Sequence, residues 1–225
     1  MLIGNGLIAS AFRNYENNDN VIIFASGVSN SSGNNKDDFE REFILLSKYI
    51  KIKNKRLVYF STCSISDGSK KSDYINHKIN MENFIKNNHN DYIIFRLPIV
   101  IGKSYNKNTF FNSFKNKITN SENIIIYENI TRYLIDIEDI SKILPSFIED
   151  VENNYTMDIC FNNNKSVLEI VQYIEESINI KSFIILKNEK NINHLIDNSL
   201  FISKLKKINY HIDEDYTQKI IKKYL

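Results

Sequence analysis

The sequence predicts a doubly wound parallel α/β sheet. The short runs at 21–25 and 57–60 are continuously apolar, and the run at 92–97 is interrupted only by Arg96; such runs are typical of strands that a parallel sheet buries on both faces. Segments whose apolar residues recur at helical spacing alternate with these runs, and that alternation favours parallel strands joined by helices. At 225 residues the chain is long enough for one such domain with a small appendage.

The expected elements follow in order along the chain. Asp37 or Asp38 is expected to cap the second helix and Ser166 the sixth, since these side chains can accept hydrogen bonds from free N–H groups of a first turn. Strands are predicted at 1–3, 21–25, 57–60, 92–97, 124–127 and 183–186. Helices are predicted after the turn at 4–6 and at 39–50, 73–87, 110–118, 137–148, 167–178 and 216–224.

Composition narrows the possible partners and compartments. The 29 basic and 27 acidic residues are interspersed, and the net charge is +2, so nucleic acid is not an expected partner. No stretch approaches the roughly 18 apolar residues that span a bilayer, and the apolar start lacks the basic leader of a signal peptide. Cys63 and Cys160 show neither metal-ligand spacing nor a disulfide framework, so a reduced, cytoplasmic compartment fits best.

A glycine turn follows the first strand. Residues 4–9 read Gly-Asn-Gly-Leu-Ile-Ala, which matches the pattern Gly-x-Gly-x-x-Ala before a helix. Such a turn lets backbone N–H groups approach a pyrophosphate, although a tight strand–helix turn without a ligand would show the same pattern. The acidic residue expected about 20 residues later, which would bind the adenosine ribose, is missing at 24–28. The sequence therefore does not distinguish NAD from NADP.

A second candidate site combines a strand end with the helix that follows it. The strand at 57–60 runs into the hydroxyl-rich segment 61–64, and Tyr74 and Lys78 are four residues apart, hence on one face of the next helix. Since a nearby positive charge favours the phenolate form of a tyrosine, Lys78 and a cationic nicotinamide acting together would make Tyr74 a usable base at neutral pH. Thr62 would hydrogen-bond the same substrate oxygen. The spacing equally suits an amphipathic helix with a half-buried Tyr and a solvated Lys.

Together these elements resemble, in matching order, the extended short-chain dehydrogenase/reductase family, in its nucleotide-sugar epimerase, dehydratase and ketoreductase branch. The resemblance spans nearly the whole chain. It implies a Rossmann-like sheet at 1–150 with interleaved substrate elements, and a small substrate-side portion at 151–225. The segments that carry it are 4–9, 22–27, 57–65, the Tyr74–Lys78 pair, 95–102 and 132–140.

The resemblance also implies roles for individual residues. Tyr74 would be the general acid/base, Lys78 would hold the nicotinamide ribose, and Thr62 would position the substrate oxygen. Counting back three from Ile65, a position that family members fill with Val or Ile, selects Thr62. Implied contacts with NAD or NADP are Gly4, Asn5, Gly6, Leu7, Ile8, Ala25, Ser26, Gly27, Ser61, Lys78, Leu97 and Pro98. Implied contacts with the nucleotide sugar are Thr62, Cys63, Ser64, Tyr74 and Arg132.

Two departures from the family pattern concern the cofactor and substrate sites, and several polar residues are assigned no role in catalysis. One strand–helix unit is missing before the strand at 21–25, which removes part of the adenosine pocket, and the segment from 62 to 74 is short. Asp136 and Asp139 are interpreted as helix-start residues. His77, His89, His194 and His211 have no metal-ligand spacing and are interpreted as structural or exposed, with His77 pointing away from the face that Tyr74 and Lys78 share.

The sequence thus favours an NAD(P)-dependent enzyme that transfers a hydride at a ring carbon of a nucleoside-diphosphate sugar for surface-polysaccharide biosynthesis. A ketoreductase or epimerase is favoured over a dehydratase, because the stretch between Thr62 and Tyr74 offers only Asp67 and Asp73 as extra acids. The alternative is a non-catalytic or regulatory binding protein on the same scaffold with impaired cofactor use. The resemblance further implies a homodimer packed through the helices at 39–50 and 73–87.

Overall fold

The computed structural model describes residues 1–28, 36–66, 72–107, 109–150, 152–188 and 196–225. The expectations for Asp67 and His194 therefore lie outside the described residues. Strands are β1 (Leu2–Ile3), β2 (Val21–Phe24), β3 (Arg56–Thr62), β4 (Tyr92–Leu97), β5 (Ile99–Ile101), β6 (Asn123–Tyr127), β7 (Thr131–Arg132), β8 (Leu134–Asp136), β9 (Tyr155–Asp158), β10 (Lys165–Ser166) and β11 (Phe183–Lys187). Helices are α1 (Leu7–Ser10), α2 (Lys36–Tyr49), α3 (Asp73–Asn88), α4 (Phe110–Thr119), α5 (Ile137–Ile148), α6 (Val167–Ile178), α7 (Ser199–Lys207) and α8 (Tyr216–Lys223).

A parallel five-stranded sheet in the order β1-β2-β3-β4-β9 forms the centre of the molecule. Three smaller pairs lie beyond it: β5 with β8 and β6 with β11, both parallel, and β7 with β10, antiparallel. The fifth strand of the main sheet comes after residue 150, so the sheet draws strands from both portions of the expected division.

Alternation along the strands divides the core in two, because successive side chains of a strand point to opposite faces. Leu57 and Tyr59 lie in one apolar cluster, which α2 and α3 cover, whereas Val58 and Phe60 lie in the other. The second cluster is larger and takes in apolar residues of α1 and of the helices from α4 to α8. Helices on both faces of a parallel sheet confirm the predicted α/β class.

The position of β1 shows where the fold has been shortened. Within the described part of the chain, β2 is the only strand that pairs with β1, so β1 is an edge strand. In a complete dinucleotide-binding sheet the first strand lies inside, with two further strands beyond it. The connections β1–α1–β2 and β2–α2–β3 both move one strand along the sheet in the same direction, but α1 and α2 cover opposite faces. These two crossovers therefore have opposite hands, although nearly all parallel crossovers are right-handed.

Local sequence signals located most helix ends, with one clear exception. Ser166 caps α6 as predicted: its hydroxyl accepts from the Glu169 N–H, and Glu169 accepts in return from the Ser166 N–H, at 2.8 Å. The prediction for α2 was wrong, because the helix begins at Lys36 and places Asp37 and Asp38 inside its first turn. Acidic side chains there still complement the helix dipole.

Two aspartates at the start of α5 bind the C-terminal part of the chain. Asp136 caps α5 and also accepts hydrogen bonds from Lys223 at 2.8 Å and Tyr224 at 2.7 Å. Asp139, in the first turn, accepts from the buried Tyr216 hydroxyl, and burial together with that bond raises the pKa of Tyr216. Both aspartates are therefore helix-start residues, as predicted, and they also anchor α8.

We predict that Tyr216→Phe lowers the free energy of unfolding by about 1–3 kcal/mol, because one oxygen of the buried Asp139 carboxylate loses its hydrogen-bond donor. Urea denaturation followed by circular dichroism measures the change. Tyr105→Phe is the matched control, since Tyr105 is fully exposed, and should stay within about 0.5 kcal/mol of the parent protein. Equal stability of the two variants would contradict the anchoring role.

Candidate functional site

The predicted site segments meet at one edge of the sheet. Because β1 to β4 are parallel, their carboxyl ends and the turns that follow them lie side by side. The Ala25 N–H donates to the Ile3 carbonyl at 2.7 Å, which joins the end of β1 to the end of β2. Residues 4–6, 25–27, 61–64 and 97–98 therefore share this edge.

The two glycines of the first turn have different roles. Gly4 has a φ of +123°, and a Cβ added there would lie 2.3 Å from the Ala25 carbonyl oxygen, so only glycine fits. Gly6 precedes α1 with an ordinary φ of −78°, and an added Cβ would meet nothing within 4 Å. Asn5 and Gly6 are exposed, while Leu7 and Ile8 pack against the core. The turn thus leaves open space over Gly6 beside exposed backbone, which fits a group such as a pyrophosphate.

The Lys78 ammonium lies beneath the turn that follows β2. A Cβ added to Gly27 would approach its Nζ to 2.8 Å. Lys78 is 2% exposed and donates to Glu42 at 2.9 Å, to the Tyr59 hydroxyl at 2.9 Å and to the Phe60 carbonyl at 3.4 Å. All three of its donors therefore have acceptors within the protein, and the third contact is the longest.

Glu42, on α2, is the centre of this cluster and was not predicted from the sequence. It is completely buried, and its Oε1 accepts from Lys78 and, at 2.6 Å, from Tyr59. Its Oε2 accepts from the Val28 N–H at 2.8 Å and contacts the His77 ring at 3.0 Å. Each carboxylate oxygen thus has two partners, which are drawn from a loop, a strand and a helix.

Electrostatics keeps this carboxylate ionised. Burial alone would raise the pKa of Glu42, but the charge of Lys78 and the hydrogen bonds from His77, Lys78 and Tyr59 outweigh burial and lower it. Burial, and then the Glu42 charge, raise the pKa of Tyr59 well above its usual value. Tyr59 therefore acts as a neutral donor to Glu42 and as an acceptor from Lys78.

His77 takes part in the cluster, contrary to the prediction that it points away. Its Nε2 lies 3.0 Å from Glu42, and its ring stacks on Phe39 of α2 at a centroid distance of 4.5 Å.

The sequence did carry a signal that Glu42 is buried and paired. Glu42 precedes Leu46 by four residues and Ile50 by eight, so it lies on the buried stripe of α2, where an acidic residue needs a partner.

Tyr74 lies at the start of α3, and Thr62 lies at the end of β3. Ser72 caps α3 by accepting from the Ile75 N–H at 3.2 Å, which sets Tyr74, half-buried, in the first turn and one turn from Lys78. Thr62 ends β3, is buried, and its hydroxyl accepts from the Ser64 N–H at 3.2 Å. Within the described ranges no hydrogen bond joins Thr62 to Tyr74.

Other predicted contacts divide between the surface and the interior. Ser64 is exposed, but Ser61 is buried beside Glu82, which holds Arg96 through two hydrogen bonds of 2.9 and 2.8 Å. The buried Cys63 thiol donates to the Arg96 carbonyl at 3.2 Å. The Cys63 side chain thus supports the strand end from within.

The remaining predicted contacts lie at the end of β4 and beyond it. Leu97 is buried, and Pro98 is half-buried at the start of the extension into β5. Arg132 is half-buried on β7, its Nη1 donates to the Thr131 carbonyl at 2.8 Å, and β7 leads into β8, which pairs with β5.

Across the described ranges, no cluster of His, Cys, Asp or Glu could hold a metal ion, and no helix is long and apolar enough to cross a membrane.

Comparisons of the whole structure identify the fold. UDP-N-acetylglucosamine 4-epimerase from Methanobrevibacter ruminantium, in complex with UDP-N-acetylmuramic acid, superposes with a TM-score of 0.66 at 18% identity, over 91% of this chain and 75% of that one. The enzyme WbmH of Bordetella bronchiseptica, in complex with NAD⁺, gives 0.69 at 15% identity, over 90% and 72%. RMD from Pseudomonas aeruginosa, complexed with NADPH, gives 0.71 at 10% identity, over 98% and 86%.

This chain shares its fold with these three structures. The predicted resemblance is thereby confirmed for the architecture of the chain. No protein-family model matches the sequence, and no curated protein matches it. At identities of 10–18% the fold is common to these proteins, while the chemistry has to be argued from the residues of this chain.

We predict that Gly4→Ala destabilises the protein by about 1–3 kcal/mol, since an alanine at this φ is strained and its Cβ would collide with the Ala25 carbonyl. Gly6→Ala is the control within the same turn, and should cost at most about 1 kcal/mol because its φ is ordinary and the space is open. Thermal unfolding compares the two. A larger loss for Gly6→Ala than for Gly4→Ala would contradict this geometry.

Proposed function

We propose that the protein is an NAD(P)-dependent oxidoreductase or epimerase that acts by hydride transfer on a nucleoside-diphosphate sugar. The observation that carries the proposal is the placement of the Lys78 ammonium directly beneath Gly27, with Tyr74 one helical turn away, at the carboxyl edge of an epimerase-type sheet. In open parallel sheets, ligands bind at this edge.

The chain's own residues would bind the cofactor and manage a proton. When bound, the nicotinamide supplies the acceptor or donor of the hydride. Lys78 has two short hydrogen bonds inside the protein, so its third donor, now 3.4 Å from the Phe60 carbonyl, is the one that a ribose hydroxyl could take. Tyr74 would accept the proton of the sugar hydroxyl during oxidation and return it during reduction. Thr62 would position the same oxygen.

Cofactor contacts are proposed along the four strand ends. The backbone at Gly4, Asn5 and Gly6 would bind the pyrophosphate, because the turn is open there. The contacts proposed further along the edge are Leu7, Ile8, Ala25, Ser26, Gly27, Ser61, Leu97 and Pro98. Structures with this fold hold NAD⁺ in one case and NADPH in another, so both cofactors are candidates.

The proposed substrate is a nucleotide sugar used for surface polysaccharide. A UDP-linked sugar is bound by the Methanobrevibacter epimerase, which has the same fold. Ser64 is exposed at the strand end beside the buried Thr62, and Arg132 lies on β7, which continues into the strand next to Pro98. Thr62, Cys63, Ser64, Tyr74 and Arg132 remain the proposed substrate contacts, and the cytoplasm remains the proposed compartment.

We predict that Tyr74→Phe lowers turnover by roughly 10²–10⁴-fold, because the phenyl ring cannot exchange a proton, while dinucleotide affinity changes little. Reduced-cofactor absorbance near 340 nm, measured with a panel of nucleotide sugars and their keto forms, gives the rate. Tyr105→Phe, at a fully exposed position, should keep the parent rate. Unchanged turnover in Tyr74→Phe would remove Tyr74 from the acid/base role.

A second candidate is a binding or regulatory protein on the same scaffold. Two observations favour it. In the described part of the chain β1 is the edge of the sheet, with no strand beyond it on the adenosine side, and all three Lys78 donors have acceptors within the protein. Calorimetric titration with NADH and NADPH distinguishes the two candidates. Binding of either cofactor supports the enzyme, whereas binding of a nucleotide sugar without either cofactor supports the second candidate.

We further propose a homodimer through α2 and α3. Phe43 and Ile44 of α2 are 45% and 48% exposed, and the Phe43 ring packs on Phe84 of α3 at a centroid distance of 4.9 Å. Phe43, Ile44 and Phe84 thus form an apolar surface. Exposed apolar patches of this kind often mark protein–protein interfaces, and this one lies on the two helices that the resemblance implies for a dimer.

We predict that Phe43→Ser together with Ile44→Ser converts the dimer to a monomer, because the change removes two large apolar side chains from the contact. Light scattering coupled to gel filtration gives the mass. Leu200→Ser is the matched control, since Leu200 is also exposed but lies on α7, and it should leave the mass unchanged. A parent protein that is monomeric at high micromolar concentration would contradict the proposed interface.

A further inference from the structure

Glu42 differs from the other buried acids in what its hydrogen bonds hold together. Asp136, Asp139 and Glu175 bind residues of the C-terminal half, and Glu82 and Asp158 pair with Arg96 of β4. Glu42 alone among these six binds the turn after β2, through Val28, and the helix that carries Tyr74, through Lys78. It therefore joins the two segments between which the proposed cofactor would lie.

We propose that Glu42 is a positioning residue of the site, which fixes the Lys78 ammonium beneath Gly27 so that the cofactor ribose can take the weakest of its three hydrogen bonds, the one of 3.4 Å to the Phe60 carbonyl. The inference rests on the proposed function for the identity of that ligand. The titratable groups that face Lys78 are Glu42 from α2 and Tyr59 from β3. On its own helix, Tyr74 and Glu82 lie one turn to either side.

The geometry explains why a carboxylate is needed at this place. A lysine in an apolar interior requires a counter-charge, and its long side chain has several rotamers that would carry the ammonium elsewhere. Glu42 and Tyr59 take two of the three donors at 2.9 Å each and so fix the direction of the third. Because the Glu42 carboxylate is held in turn by Val28 and His77, it cannot follow Lys78 out of the site.

The first experiment measures binding of NADH and NADPH by calorimetry to the parent, Glu42→Gln, Lys78→Met and the double variant. We expect Glu42→Gln and Lys78→Met each to weaken binding about tenfold, the loss typical of one hydrogen bond from a charged group. The double variant should bind no more weakly than Lys78→Met alone, because Glu42 acts through the ammonium. Parent-like binding by Glu42→Gln, or additive losses in the double variant, would overturn the proposal.

The second experiment does not depend on any cofactor. Acetic anhydride labelling with mass spectrometry reports how accessible each lysine is. Lys78 should be protected in the parent, and in Glu42→Gln it should react within about twofold of the exposed Lys222, since an unpaired ammonium leaves the apolar interior. A parent that binds neither cofactor would refute the proposed function, while this labelling still decides whether Glu42 holds Lys78. Continued protection of Lys78 in Glu42→Gln would overturn the positioning role.

Two further variants separate positioning from general destabilisation. Glu175→Gln removes another buried carboxylate, one that binds Ser182 and Lys181 far along the chain, and should change neither cofactor affinity nor Lys78 labelling. Glu42→Asp keeps the charge but shortens the side chain, so it should fold even if Glu42→Gln does not. We expect it to weaken cofactor binding by about threefold to tenfold and to expose Lys78 partly; parent-like values on both measurements would refute the inference.

Discussion

The ion pair between Glu42 and Lys78 is the interaction on which the arrangement of the carboxyl edge depends. Two buried charges cost several kcal/mol each unless they meet at hydrogen-bond distance and their other lone pairs and protons are satisfied. That condition is met here by Tyr59, His77 and the Val28 N–H, which belong to three separate parts of the chain. The turn after β2, the strand β3 and the helix α3 must therefore approach one another closely, and α3 brings Tyr74, in its first turn, to the same edge.

The shortened sheet sets the second constraint on function. Because β1 lies at the edge, the sheet keeps the strand ends that carry the glycine turn, Gly27 and Thr62. The described part of the chain lacks the strands that would flank the adenosine half in a complete sheet. The proposed pyrophosphate and proton-transfer parts of the site are therefore more complete than the proposed adenosine pocket. The opposite hands of the first two crossovers follow from the absence of those strands, because α1 covers one face of the sheet and then leads directly to β2.

Local patterns predicted the elements that depend on neighbouring residues. The limits of β4, α3 and α5 agree with the apolar periodicity to within a residue, and the cap at Ser166 follows from its own hydroxyl and Glu169. The short pairs formed by β5, β7, β8 and β10 were not predicted, since strands of two or three residues carry too little periodicity. The helix α7 was also missed, although Phe201 and Leu205 are four residues apart and buried, because lysines surround them.

The sequence by itself determined the α/β class, the order of the strand ends and the spacing of Tyr74 and Lys78, because these depend on residues close together in the chain. Only the tertiary structure decided that β1 is an edge strand, that His77 contacts Glu42, and that Lys78 is held within the protein. The reason is physical: the carboxylate that binds Lys78 comes from a different helix, 36 residues earlier. Helical spacing places Lys78 on a face, but the charge that it meets there is set by packing.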